Sequence, residues 1–230
     1  MDTKSINESQ QSISDPSNHN SPHHSYYREI LISRWTAILA ALAIGVLYLA
    51  LPEYLTIGPN WLLLVVIAVL IIPFFFIRKL PHITIRLFAL ALLAVVTLGL
   101  AGSIALLIYR LPKTTVGSIL LRSAGLLWLS NILVFALWYW EIDGGGPHKR
   151  HEMNHQAADF MFPQQADGNK TGWVPHFADY LFVAFTGSTA LSPTDTFPLT
   201  RRAKLLMMLE AILSLIIIIL LAARAVNIYS

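Results

Sequence analysis

The run His151-Glu152-Met153-Asn154-His155 has the spacing H-E-x-x-H. On a helix this puts two imidazoles on one face, where they can hold zinc while the glutamate activates a water. Read that way, the chain is a membrane-bound zinc hydrolase, with His148 or Asp159 as the nearby third ligand. The setting favours a solvated loop: the run follows the turn Gly144-Gly145-Gly146-Pro147 and the charged pair Lys149-Arg150. The expectation is therefore no metal, no cofactor and no enzymatic activity.

Glu210 is the second residue with chemical potential. It interrupts an otherwise apolar stretch, Leu205 to Ala223, about 8 Å in from its start by helix rise. Ser214 follows one turn later on the same face. A carboxylate at that depth in a membrane faces protein or water and marks a functional site by default, or it snorkels to the nearer interface. Asn131, in the middle of another apolar stretch, can hydrogen-bond between helices or line a pore. Glu141, Asp143, Asp159, Asp179 and Asp195 form either an acidic vestibule that draws in cations or an ordinary soluble loop surface. Trp138-Tyr139-Trp140 reads as an aromatic anchor at the headgroup level.

The elements that must position these residues follow from composition. Of the 230 residues, 55% are hydrophobic and 13% are charged, and mean hydropathy is +0.59. A soluble domain carries about 25% charged residues, so too little charge remains to face water. There is no cysteine, which excludes disulfides and thiolate sites. The small net charge of +3 is spread along the chain and forms no nucleic-acid patch. Five stretches are long enough for a hydrocarbon core of about 30 Å: Trp35 to Pro52, Tyr54 to Ile77, Leu87 to Tyr109, Ser123 to Trp140, and Leu205 to Ala223. Residues 1–30 read as a disordered polar tail, residues 31–114 as a three-helix membrane segment, and residues 115–230 as a second membrane segment. With the N-terminus inside, 12 of the 16 cations fall on the cytoplasmic side.

The segment Phe177 to Leu191 would form a helix of 15 residues, about 22 Å long and short of the core. It ends among Thr186, Gly187, Ser188, Thr189, Ser192, Pro193, Thr194 and Asp195. A re-entrant half-helix that enters and leaves on one side fits, since irregular backbone at membrane depth must be buried in protein or line a cavity. An amphipathic helix lying on the surface is the alternative.

The order from Ser123 onward, a spanning helix, a short apolar helix, a polar turn and a long spanning helix, resembles the pore unit of two-transmembrane potassium channels. Asp195-Thr196-Phe197-Pro198-Leu199-Thr200 is similar to the run that follows the filter in that family, and Lys204-Leu205 opens the last helix in the same manner. The filter positions hold Ala190-Leu191-Ser192-Pro193-Thr194, without the glycines that stacked carbonyl rings require. The cation count also puts this loop in the cytoplasm, opposite to those channels. Trp138 to Pro147, Asp159 to Gln164, Asp179 to Phe182, Ser192 to Thr196 and Ala223 to Asn227 are similar as a set to a family of uncharacterised bacterial integral-membrane proteins. That resemblance implies a multi-pass bacterial plasma-membrane protein and brings no activity.

The expected fold is an all-α integral membrane protein with five transmembrane helices and one re-entrant half-helix. The expected function is ion-channel-like or small-solute permeation by a homo-oligomer in the bilayer, with Thr186, Ser188, Thr189, Ser192, Thr194, Asp195, Glu210, Ser214 and Asn131 as pore candidates and Glu141, Asp143 and Asp179 at its vestibule. A non-conducting scaffold or assembly subunit is the remaining alternative.

Overall fold

The computed structural model describes residues 22–75, 82–110, 117–189 and 195–229. Seven α-helices are present among them: α1 (Pro22–Leu49), α2 (Leu62–Phe75), α3 (His82–Arg110), α4 (Gly117–Ile142), α5 (Pro147–Glu152), α6 (Phe177–Thr189) and α7 (Arg201–Tyr229). A two-residue strand β1 (Phe160–Met161) pairs antiparallel with β2 (Phe197–Pro198), a small departure from a purely helical chain. Three stretches are long and apolar enough to cross a membrane: Ile83–Arg110, Ser118–Gly145 and Arg201–Ala223. Trp35–Leu49 is a shorter apolar helix, and α2 is described only as far as Phe75. Residues 1–21 of the expected tail lie outside the described residues, and α1 already begins at Pro22.

Helix α4 is the axis of the bundle, packing on α1, α3, α6 and α7. Its central position explains Trp138-Tyr139-Trp140. Successive helical residues point about 100° apart, and here Trp138 donates to Thr97 of α3 at 2.8 Å, Tyr139 reaches Glu210 of α7, and Trp140 stacks edge-on against Phe177 and Tyr180 of α6. The expected headgroup anchor is thus an interior joint. At this level of α4, Tyr139 and Trp140 are buried and Trp138 is half-buried, so the three rings are taken up by neighbouring helices.

The end of α4 is built by glycine. Gly144, Gly145 and Gly146 adopt φ of 58°, 83° and 100°, conformations that a Cβ disfavours. The reversal brings Arg150 of α5 back under the helix, where its Nη1 donates to the Trp140 carbonyl at 2.5 Å and the Asp143 carbonyl at 2.9 Å. Carbonyls in the last turn of a helix lack intrahelical donors, and the buried guanidinium supplies them. Its plane also lies over the rings of Trp140 and Tyr180, at 4.5 Å and 5.2 Å from their centroids.

The loop between α5 and α6 is packed rather than solvated. Phe162 meets Trp173 and Tyr180, and Asn169 donates to the carbonyls of Asn154, His155 and Trp173. Helix α6 opens at His176, whose amide donates to Asp179 Oδ2 at 2.7 Å while the Asp179 amide donates back to the His176 carbonyl. Helix α6 then runs antiparallel to α4, from Tyr180 beside Asp143 to Ser188 beside Trp128. After residues 190–194, which lie outside the described residues, the chain is back at the level of Asp159, where the Leu199 amide donates to the Asp159 carbonyl.

Candidate functional site

Glu210 is fully buried where α4, α6 and α7 meet. Tyr139 of α4 donates its hydroxyl to Glu210 Oε2, and Ser188 of α6 donates to Oε1 at 2.9 Å. Snorkelling to the interface is thereby excluded: both carboxylate oxygens are engaged inside the bundle. Gly187 makes this approach possible, since a Cβ at that position would stand 3.0 Å from Glu210 Oε2.

Ser214, one turn beyond Glu210, works on the same helix end. Its hydroxyl donates to the Ser188 carbonyl at 2.6 Å and accepts from Trp128 Nε1 at 3.0 Å. Asn131 Nδ2 lies 3.4 Å from the Glu210 carbonyl and 3.5 Å from Ser188 Oγ, while its Oδ1 is buried without a hydrogen-bond partner. The remaining hydroxyls of α6 turn back on their own helix: Thr186 bonds the carbonyls of Phe182 and Val183, and Thr189 those of Phe185 and Thr186. A helix that stops inside a bundle needs such partners for its last carbonyls.

The structure thus gathers Glu210, Ser214, Asn131, Ser188, Thr186 and Thr189 around the end of α6. Asp195 is exposed, and Ser192 and Thr194 lie outside the described residues. The candidates missing from the sequence reading are Tyr139, Trp128 and Gly187. The available signal was the glycine interrupting an apolar helix, which commonly marks a close approach.

Burial takes Asp143 and Asp159 out of the expected acidic vestibule, while Glu141 and Asp179 are half-buried and Asp195 is exposed. Asp143 is buried, with Oδ1 accepting from the amides of Asp159 and Phe160 and Oδ2 from the Tyr180 hydroxyl at 2.5 Å. Asp159 is also buried. It accepts from Arg202 through both oxygens, from Thr200 at 2.6 Å and from the Gly144 amide at 3.0 Å. Burial by itself would raise the Asp159 carboxyl; the bonds from Arg202, Thr200 and Gly144 and the charge of Arg202 outweigh it and hold the group below its ordinary value. Asp179 is spent on the start of α6, and Glu141 is half-buried beside Gly146. Two of these acids clamp the loop onto the helices and present no open anionic surface.

The zinc geometry also fails at its first requirement. Helix α5 ends at Glu152, and Asn154 and His155 adopt φ of 52° and 51°, so the two histidines do not share a helix face. Instead His151 Nδ1 and His155 Nε2 lie 3.3 Å apart, and Glu152 pairs with His148 at 3.3 Å. Among the described residues no three His, Cys, Asp or Glu side chains are grouped for a metal. His155 is pushed down to about 4 by burial first, then by His151, Arg150 and His176.

Comparison with known proteins returns no matching family model, no matching curated protein and no matching solved structure. The buried site therefore has to be read from its own chemistry.

Proposed function

We propose that the chain is a channel-like or small-solute permeation protein of the bacterial plasma membrane. It crosses five times with its N-terminus in the cytoplasm, and α6 is a re-entrant half-helix. The observation that carries this reading is Glu210, a fully buried carboxylate on a helix long and apolar enough to cross a membrane, accepting from Ser188 in the last turn of the short helix α6. Ionisable groups at membrane depth mark substrate and ion routes, and half-helices that stop at that depth line cavities. Each chain supplies one such helix, so a pore requires several copies. Helix α7 has the surface for them: only 17% of its apolar window is buried, and Leu205, Met208, Ile212, Leu215 and Ile219 face outward.

The test is reconstitution in liposomes with alkali-cation, proton and small-neutral-solute flux readouts. Flux that falls in Glu210→Gln and changes in Asp195→Asn supports the reading; no flux of any of the three overturns it.

One observation favours a second reading, a non-conducting scaffold or assembly subunit. Both Glu210 oxygens are satisfied within the chain by Tyr139 and Ser188, as in a structural joint. A stoichiometric membrane partner copurifying with flux-inactive protein would support that reading.

A further inference from the structure

A cavity of about 370 Å³ opens between α1, α3 and α4 at the end of the bundle where α3 begins and α4 ends. Its size falls within the roughly 300–1,000 Å³ of ligand-binding cavities. Its deep part is apolar, with Ala37 and Ala41 of α1, Ala89 and Leu93 of α3, and Leu137 of α4. The small residues Ala37, Ala41 and Ala89 leave open the space that larger side chains would fill.

Its mouth is polar. Arg86, near the start of α3, reaches the glycine turn, with Nη1 3.7 Å from where a Cβ on Gly145 would stand. Arg86 Nε is buried and has no hydrogen-bond partner. A buried N–H without an acceptor is costly, while the rest of the Arg86 side chain is partly exposed. Lys149 lines the same mouth, and a Cβ on Gly145 would meet its Cδ at 2.8 Å, so the glycine keeps room for both cations. Glu141 and Glu152 share the rim, Glu152 paired with His148. With two acids balancing two cations, the mouth selects a phosphodiester that can accept from Arg86 rather than net negative charge.

We propose that this cavity is a phospholipid site, with the lipid phosphate on Arg86 and Lys149 and one acyl chain along Ala37, Ala41, Ala89 and Leu93. An apolar slot whose mouth carries the partly exposed Arg86 together with Lys149 matches a molecule with an apolar tail and a phosphate acceptor in sequence. The site rests on the membrane reading alone and stands whether or not the protein conducts.

The test is native mass spectrometry of the full chain in detergent, titrated with phosphatidylethanolamine, phosphatidylglycerol, diacylglycerol and glycerol phosphate. One copy of either phospholipid is retained per chain, and neither diacylglycerol nor glycerol phosphate is. Arg86→Ala weakens retention by about tenfold or more, the scale of a lost charge-assisted phosphate contact, and Lys149→Gln weakens it less. Ala89→Trp, which fills the tail slot and leaves the cations in place, abolishes it, so the inference does not depend on Arg86→Ala folding. Equal retention in Ala89→Trp and the unaltered protein, equal retention of diacylglycerol, or retention of glycerol phosphate as strong as that of phospholipid would each overturn the site.

Discussion

The hydroxyl of Tyr139 on α4 is donated to the carboxylate of Glu210 on α7, joining two helices long and apolar enough to cross a membrane through fully buried groups 71 residues apart. Ser188 holds the other oxygen. Glu210→Ala leaves two buried donors without an acceptor and lowers stability by about 2 kcal/mol or more, whereas Tyr139→Phe removes one donor and costs about 1 kcal/mol. Unfolding of the purified protein in mixed micelles measures both, and a neutral Glu210→Ala would contradict the joint.

Gly187 sets how closely α6 approaches that carboxylate. A methyl group there meets Glu210 Oε2 at 3.0 Å, and Gly187→Ala is expected to cost about 1–3 kcal/mol through overpacking. Combined with Glu210→Asp, which withdraws the carboxylate at a cost of its own, Gly187→Ala is expected to destabilise much less than it does alone. Strictly additive effects of the two changes would show that the contact is not shared.

Asp159 ties the loop to the start of α7 through Arg202 and Thr200. Its carboxyl is held below the ordinary value in the folded protein, so its stabilisation is complete above the unfolded carboxylate range and is lost as pH falls through the lower folded value. Asp159→Asn flattens the stability profile below about pH 4, the unfolded carboxylate range, and lowers the plateau above it. Arg202→Lys also destabilises, because one ammonium cannot reproduce the two-pronged contact.

His155 acts in a different pH window. It titrates at about 4 in the fold against 6.5 when unperturbed, so the unfolded chain takes up its proton first. Stability is full above about 6.5 and declines as pH falls toward 4. A melting-temperature series over that interval should slope downward on acidification, and His155→Gln should remove the part of the slope due to this group. Zinc is expected to leave the melting temperature of both proteins unchanged.

Much of the fold was legible from where charge is absent. The stretches from Leu87, Ser123 and Leu205 coincide with helices long and apolar enough to cross a membrane, because a chain so poor in charge can satisfy its backbone there only as helix. The place of Glu210 within an apolar helix, with Ser214 one turn on, and the shortness of α6 were equally legible, since each depends only on helix rise and residue type. Other assignments turned on which neighbours surround a residue. Trp138, Tyr139 and Trp140 carry the composition of a lipid-facing belt, yet α4 is enclosed by four helices, so each ring meets a different one. Asp143 and Asp159 look like loop acids until Arg150, Arg202 and the Gly144 turn are folded around them.

What the sequence by itself determined is a helical, membrane-compatible chain with one acid inside an apolar stretch and a short helix that cannot cross, because periodicity, length and charge are properties of consecutive residues. Only the tertiary structure decided what that acid touches, that H-E-x-x-H is broken by left-handed backbone at Asn154 and His155, and that Arg86 reaches an apolar cavity. Those outcomes depend on contacts between residues distant along the chain, and no local pattern encodes them.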